Sequence, residues 1–251
     1  MLAMPERWPR SRGLFVAVAA MGVLASIATL DRPAPQPDRG SAPGARVVTM
    51  RTSDGVTLNA RLWSRDPRRI VVYLHEYGDE QSTWWPTAEA GDPGDPSALT
   101  FDFRGHGASD GSAEDVDATP EDVRAALAFV ADEGYQQVVL AGAGMGAAAA
   151  MDAAAGWPQV RVLGISAPGE FAGMRPVEIV PALQDRVAFI ASEGDLSARL
   201  SIAAFRERAA VPASRIVMLK GGDHGEALFT GDHRREATAA FRRLLAELWQ
   251  P

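Results

Sequence analysis

Cysteine is absent from all 251 residues. That excludes disulfides, thiolate metal sites, a cysteine nucleophile and a lipid anchor on cysteine, and it leaves the redox compartment open. Basic excess is lacking too. The formal net charge is −7 and no basic stripe appears, so nucleic acid is not an expected partner. No internal repeat is present. No metal-ligand constellation stands out, since Asp92-Pro-Gly-Asp95 reads as an ordinary turn, and no cofactor is implied. What remains is ordinary for a globular protein: 47% hydrophobic and 23% charged residues, enough chain for one sizeable α/β domain and a short extension.

Long apolar runs are also scarce, with one exception. Arg7, Arg10 and Arg12 precede the uncharged run 13–30, GLFVAVAAMGVLASIATL. A basic start before such a run reads as a secretory signal or an uncleaved membrane anchor. As a helix it spans about 27 Å, close to the hydrocarbon thickness, so length leaves both readings standing. Ser26, Ile27 and Ala28 offer a small-residue cleavage site. In either case the arginines stay cytoplasmic and the rest is exported, to a periplasmic or extracellular location. Residues 31–45, DRPAPQPDRGSAPGA, form a Pro-rich linker. The folded domain is expected over 46–251.

Within that domain, short apolar or β-branched runs alternate with helical patterns. Strands are expected at 47–51, 58–63, 70–74, 98–103, 138–141, 162–165, 187–191 and 216–219. The first two flank the turn Ser53-Asp54-Gly55. Helices are expected from Thr119, with threonine as cap and Pro120 at the first position, and over 197–209 and 234–249. Strand–helix alternation implies an eight-stranded, mostly parallel sheet with helices on both faces. Ligands then bind in the loops after the strands. The stretch 166–186 is short and broken by prolines and glycines, which predicts a loop or one short helix and no large cap domain.

Five of those loops carry chemistry: HEYG (75–78), RGHGASDG (104–111), GAGMG (142–146), EGD (193–195) and GGDHG (221–225). GAGMG alone is a weak dinucleotide signal, and the acid expected at the end of the next strand is missing there, where Ser166 stands. With its neighbours, the chain resembles the α/β-hydrolase superfamily. FDFRGHGASDG is similar to a family hallmark. HEYGDEQSTWW looks like the oxyanion loop of dienelactone-hydrolase-like and small esterase- or peptidase-like members. GAGMG falls where that family carries Gly-x-Ser-x-Gly.

The resemblance covers the chain from Val47 onwards and implies a triad in the order nucleophile, acid, histidine. Asp195 matches the acid and His224 the histidine, with Asp185, Glu193 and Asp223 as fallback acids. The nucleophile position is Gly144, which has no side chain to attack with. By resemblance, the Met145 and Tyr77 backbone N–H groups form the oxyanion hole. His75 and His106 are assigned loop-shaping roles, and Trp84 and Trp85 packing. Glu76 departs from the commoner glycine at its position. Two functions compete: a degenerate serine hydrolase that binds a small ester-like ligand, and an active hydrolase of esters, lactones or similar carbonyl compounds. The second would use water activated by His224 and Asp195, or a displaced serine such as Ser166.

Overall fold

The computed structural model describes residues 44–250. The apolar run 13–30 and nearly all of the linker lie outside the described residues. Among the described residues no helix is long and apolar enough to cross a membrane.

The chain opens with a hairpin, β1 (Arg46–Arg51) and β2 (Thr57–Trp63), followed by β3 (Arg69–Leu74), a short helix α1 (Trp85–Glu89) and β4 (Ser97–Phe101). Then strands and helices alternate: α2 (Thr119–Asp132), β5 (Gln137–Ala143), α3 (Met145–Ala155), β6 (Val160–Ile165), α4 (Pro176–Leu183), β7 (Val187–Ser192), α5 (Leu196–Ala209), β8 (Ile216–Leu219) and α6 (Arg234–Leu248). The sheet order is β1-β2-β4-β3-β5-β6-β7-β8. Only the β1–β2 and β2–β4 pairs are antiparallel. After β3 the chain moves one way to β4 and returns on the other side as β5. The loops after β3 and β5 therefore part at a topological switch point, which opens a crevice at the strands' C-terminal ends.

Both faces of the sheet are covered, which explains the unbroken apolar strands. On one face α2, α3, α4 and α5 pack on Val72, Leu140, Val162 and Phe189, and Phe205 stacks on Phe189 with centroids 5.0 Å apart. On the other, α6 places Phe241 and Leu244 beside Tyr73, Trp84 and Leu163. Each fully buried Leu or Phe contributes about 1.5–3 kcal/mol relative to its exposed state. Helix α3 runs against the sheet centre, and Ala147, Ala148, Ala149 and Ala150 are wholly buried. Small side chains allow that close approach.

Several expectations shift at their edges. β4 ends at Phe101, two residues early, because Asp102 turns its carboxylate to the Gln81 N–H (2.8 Å) and the Ala108 N–H (3.0 Å). Thr119 begins α2 but does not cap it with its side chain; its hydroxyl donates to the Val116 carbonyl instead. α1 has five residues and escapes any periodicity argument. Between β6 and β7 lie the short helix α4 and a 3₁₀ turn, and no cap domain.

Candidate active site

The turn after β5 is built by exclusion. A Cβ on Gly142 would sit 2.4 Å from the Gly146 carbonyl carbon, and one on Gly146 would sit 2.5 Å from the Leu74 carbonyl oxygen. Neither position admits a side chain without moving backbone. Between them Gly144 adopts φ 47° and ψ −114°, a conformation that is strained for any residue with a side chain. Its N–H donates to the Ile165 carbonyl (3.1 Å), and α3 starts at once with Met145. Sequence reasoning placed Gly144 at a strand-to-helix turn, and it stands there.

His224 follows β8 in the GGDHG loop. Its Nδ1 donates to Asp195 Oδ2 at 2.6 Å. Asp195 also caps α5, its Oδ1 accepting from the Ala198 N–H at 3.1 Å. One carboxylate thus orients the histidine and anchors a helix. Burial pushes the Asp195 pKa up, but hydrogen bonds from the Ala198 N–H, His224 and Ser166 outweigh it and hold the carboxyl below its ordinary value. None of the fallback acids takes this place.

The other imidazole nitrogen faces a residue that the sequence did not mark as functional. Glu76 Oε1 lies 2.8 Å from His224 Nε2. With a carboxylate oxygen on each nitrogen, both nitrogens donate, so the ring is an imidazolium. Its hydrogen bond to Glu76, with a further contribution from Asp195, raises the pKa to about 9 against the opposing effect of burial. The Glu76 side chain also occupies the space beside the turn. A Cβ added at Gly144 would meet Glu76 Cγ, Cδ and Oε1, each at 3.0 Å. A Cβ on Gly225 would collide with Glu76 Oε2.

Backbone contacts fix Glu76 in this pose. Its N–H donates to Glu226 Oε1 (3.0 Å). Its carbonyl accepts from His75 Nδ1 (2.8 Å) and from the Asp79 N–H (3.2 Å). His75 is fully buried, and burial lowers its pKa to about 3. It is therefore neutral, and its Nε2 accepts from the Phe103 N–H at 3.0 Å. His106 donates to the Arg104 carbonyl (2.8 Å) and accepts from the Gly78 N–H (3.4 Å). Both histidines hold loop backbone, the job expected of them. Glu226, on the 3₁₀ turn that follows His224, has its pKa raised to about 8, chiefly by burial, with the nearby Glu76 charge adding to it.

The remaining candidates divide. Among the described residues, the Met145 and Tyr77 N–H groups donate to no other protein group. Ser166 is buried at the end of β6 with φ 47°. Its hydroxyl accepts from the Gly225 N–H (3.0 Å) and is hydrogen-bonded to Asp195. It braces the acid from the end of the neighbouring strand. Trp84 is buried packing, and Trp85 lies under the Arg61 guanidinium, 5.5 Å from the ring centroid. Glu76 is the residue sequence reasoning missed. The available signal was an acid in a loop position where glycine is commoner, in the same chain that lacks a side chain at position 144.

Comparison with known proteins agrees with this architecture. No curated protein matches the chain. Among solved structures, the Pyrococcus furiosus esterase Pf2001 superposes with a TM-score of 0.73 at 16% identity, covering 86% of this chain and 97% of that one. The alpha/beta hydrolase GrgF from a Penicillium species gives 0.66 at 15% identity, covering 81% and 97%. An esterase from a Rhodococcus species, RhEst1, gives 0.65 at 16% identity, covering 80% and 99%. The family model for the serine aminopeptidases of group S33 matches residues 65–211, more than half of the chain. With its mostly parallel sheet, and with chemistry gathered at the strand ends, the chain belongs to this S33 serine aminopeptidase family of the α/β-hydrolase superfamily.

Proposed function

We propose that this chain is an exported α/β-hydrolase-fold protein whose serine-hydrolase chemistry is silenced at two positions, leaving a site that binds a small ester-like ligand. One observation carries the reading: Glu76 fills the space beside Gly144 and pairs with the nitrogen of His224 that a serine hydroxyl would need. A serine mechanism requires a nucleophile and a neutral histidine to take its proton. Gly144 supplies no nucleophile, and the Glu76 carboxylate keeps His224 protonated. The Asp195–His224 pair and the free Met145 and Tyr77 N–H groups support the view that the frame descends from a working triad with its oxyanion hole. The basic start and the apolar run 13–30 support export.

The competing reading has His224 activate water for direct attack on an activated ester or lactone. Glu76 weighs against it, because an imidazolium bonded at both nitrogens accepts no proton. Assays of the purified full chain against short-chain p-nitrophenyl esters separate the two. Silencing predicts no turnover above buffer near neutral pH. Native turnover that disappears in His224→Ala establishes the hydrolase instead.

A further inference from the structure

Beside the Glu76–His224 pair the fold gathers carboxylates from two distant loops. Oxygens of Glu76, Asp79 and Glu226 lie within 4.8 Å of one another. An acidic cluster is not in itself a site, but here one member shows an unmet need. Glu226 is only 7% exposed. Its Oε1 accepts from the Glu76 N–H, whereas its Oε2 is buried and has no hydrogen-bond partner. Leaving a buried polar atom unsatisfied costs about 1–3 kcal/mol. A cation placed among the three carboxylates would satisfy it.

We propose that Glu76, Asp79 and Glu226 form a binding site for a hard divalent cation of calcium size. All three ligands are carboxylate oxygens, and oxygen-only sets select hard cations. Ca–O bonds of about 2.3–2.6 Å bridge oxygens separated by up to roughly 4.8 Å, whereas Mg–O bonds of about 2.0–2.1 Å demand a tighter, octahedral set. The site has a rigid side and an open side. Glu226 is buried and Glu76 is pinned through its backbone, while Asp79 is exposed at the mouth, where the ion and its remaining water ligands would enter. Three carboxylates on a partly open loop fit an affinity of about 10⁻⁴–10⁻³ M, the range of extracellular calcium modules. The ion would share Glu76 with His224, which places it beside the turn at Gly144. The proposal goes beyond the functional reading above and does not depend on whether the site hydrolyses anything.

The test is thermal unfolding of the purified, EDTA-treated full chain at about pH 9, above the value of about 8 to which burial raises Glu226, titrated with CaCl2 to about 10 mM, well above that affinity range. NaCl of equal ionic strength serves as the control, with MgCl2 in parallel. Asp79→Asn is the main variant because Asp79 is exposed and the fold does not need it; Glu226→Gln is the second. The expected result is a saturable rise in the midpoint with calcium, absent with NaCl, smaller with MgCl2 and diminished in both variants. Absence of a saturable rise, or a rise undiminished in either variant, overturns the site. An equal or larger response to magnesium overturns its assignment to calcium.

Discussion

Glu76 Oε1 sits 2.8 Å from His224 Nε2, on the side of the imidazole opposite Asp195. The histidine is therefore clamped between two carboxylates. In a serine hydrolase the second partner would be the nucleophile's hydroxyl, a weak acid that gives its proton to the ring. Here it is a carboxylate that stabilises the proton already there. On the proposed reading the site pairs charge instead of accepting a proton, and the first two predictions follow from that clamp.

The first concerns the histidine itself. Glu76→Gln removes the charge but keeps a hydrogen-bond acceptor. An opposite charge at this distance raises a histidine pKa by roughly 1–3 pH units, so its loss should lower the His224 value by that order from about 9. NMR titration of the His224 ring protons in the two proteins measures it. An unchanged midpoint would remove the charge clamp from the account.

The second concerns recovery of chemistry. Gly144→Ser alone introduces a Cβ 3.0 Å from three Glu76 atoms and leaves His224 protonated, so it should stay inactive towards p-nitrophenyl esters. Gly144→Ser with Glu76→Gly clears the space and frees Nε2. The double variant should hydrolyse such esters and be labelled by a fluorophosphonate probe. Serine at φ 47° carries backbone strain of about 1–3 kcal/mol, so some loss of stability should accompany the gain. Activity in the single variant equal to that of the double would show that Glu76 does not block the site.

Much of this was legible in the sequence, for identifiable reasons. The strands from β3 to β8 are apolar runs because helices cover both faces, and all were located to within two residues. Gly142 and Gly146 are fixed by backbone approach, which admits no other residue type, so the turn was readable. Asp195 and His224 follow adjacent strands, and strand order alone brings them together. Glu76 and Glu226 were not legible. Their importance depends on where a flexible side chain points after the loops following β3 and β8 have closed on each other. No local pattern encodes that contact, and the same holds for the cluster with Asp79.

A third prediction tests the turn as a packing element. Gly146→Ala places a methyl 2.5 Å from the Leu74 carbonyl oxygen and 2.8 Å from that of His75, both backbone atoms. Backbone cannot rotate aside as a side chain can. α3 must shift away from β3, at a cost of the order of 1–3 kcal/mol for an overpacked core. Gly156→Ala, at the other end of α3, meets nothing nearer than 3.9 Å and serves as the control. Urea denaturation should show a lower midpoint for Gly146→Ala and little change for Gly156→Ala.

The last prediction is a pH dependence of stability with a definite sign. Glu226 keeps its proton in the folded protein to about pH 8, whereas an ordinary glutamate loses it near 4.5. Between those values the native state binds more protons than the unfolded chain, so stability falls as pH rises through that window. His224 acts in the same direction. Its contribution is complete below about 6.5, the ordinary histidine value, and is lost as pH rises through about 9. Asp195, held below its ordinary value, works oppositely and loses its contribution only as pH falls into the acid range. In EDTA, the unfolding midpoint should therefore decline steadily from about pH 5 to pH 9. Glu226→Gln keeps an oxygen for the Glu76 N–H and cannot ionise, so it should match the native chain near pH 5 and exceed it at pH 8–9. Circular dichroism melts across that range decide the matter, and a native midpoint that rises with pH would show that neither Glu226 nor His224 holds its proton as described.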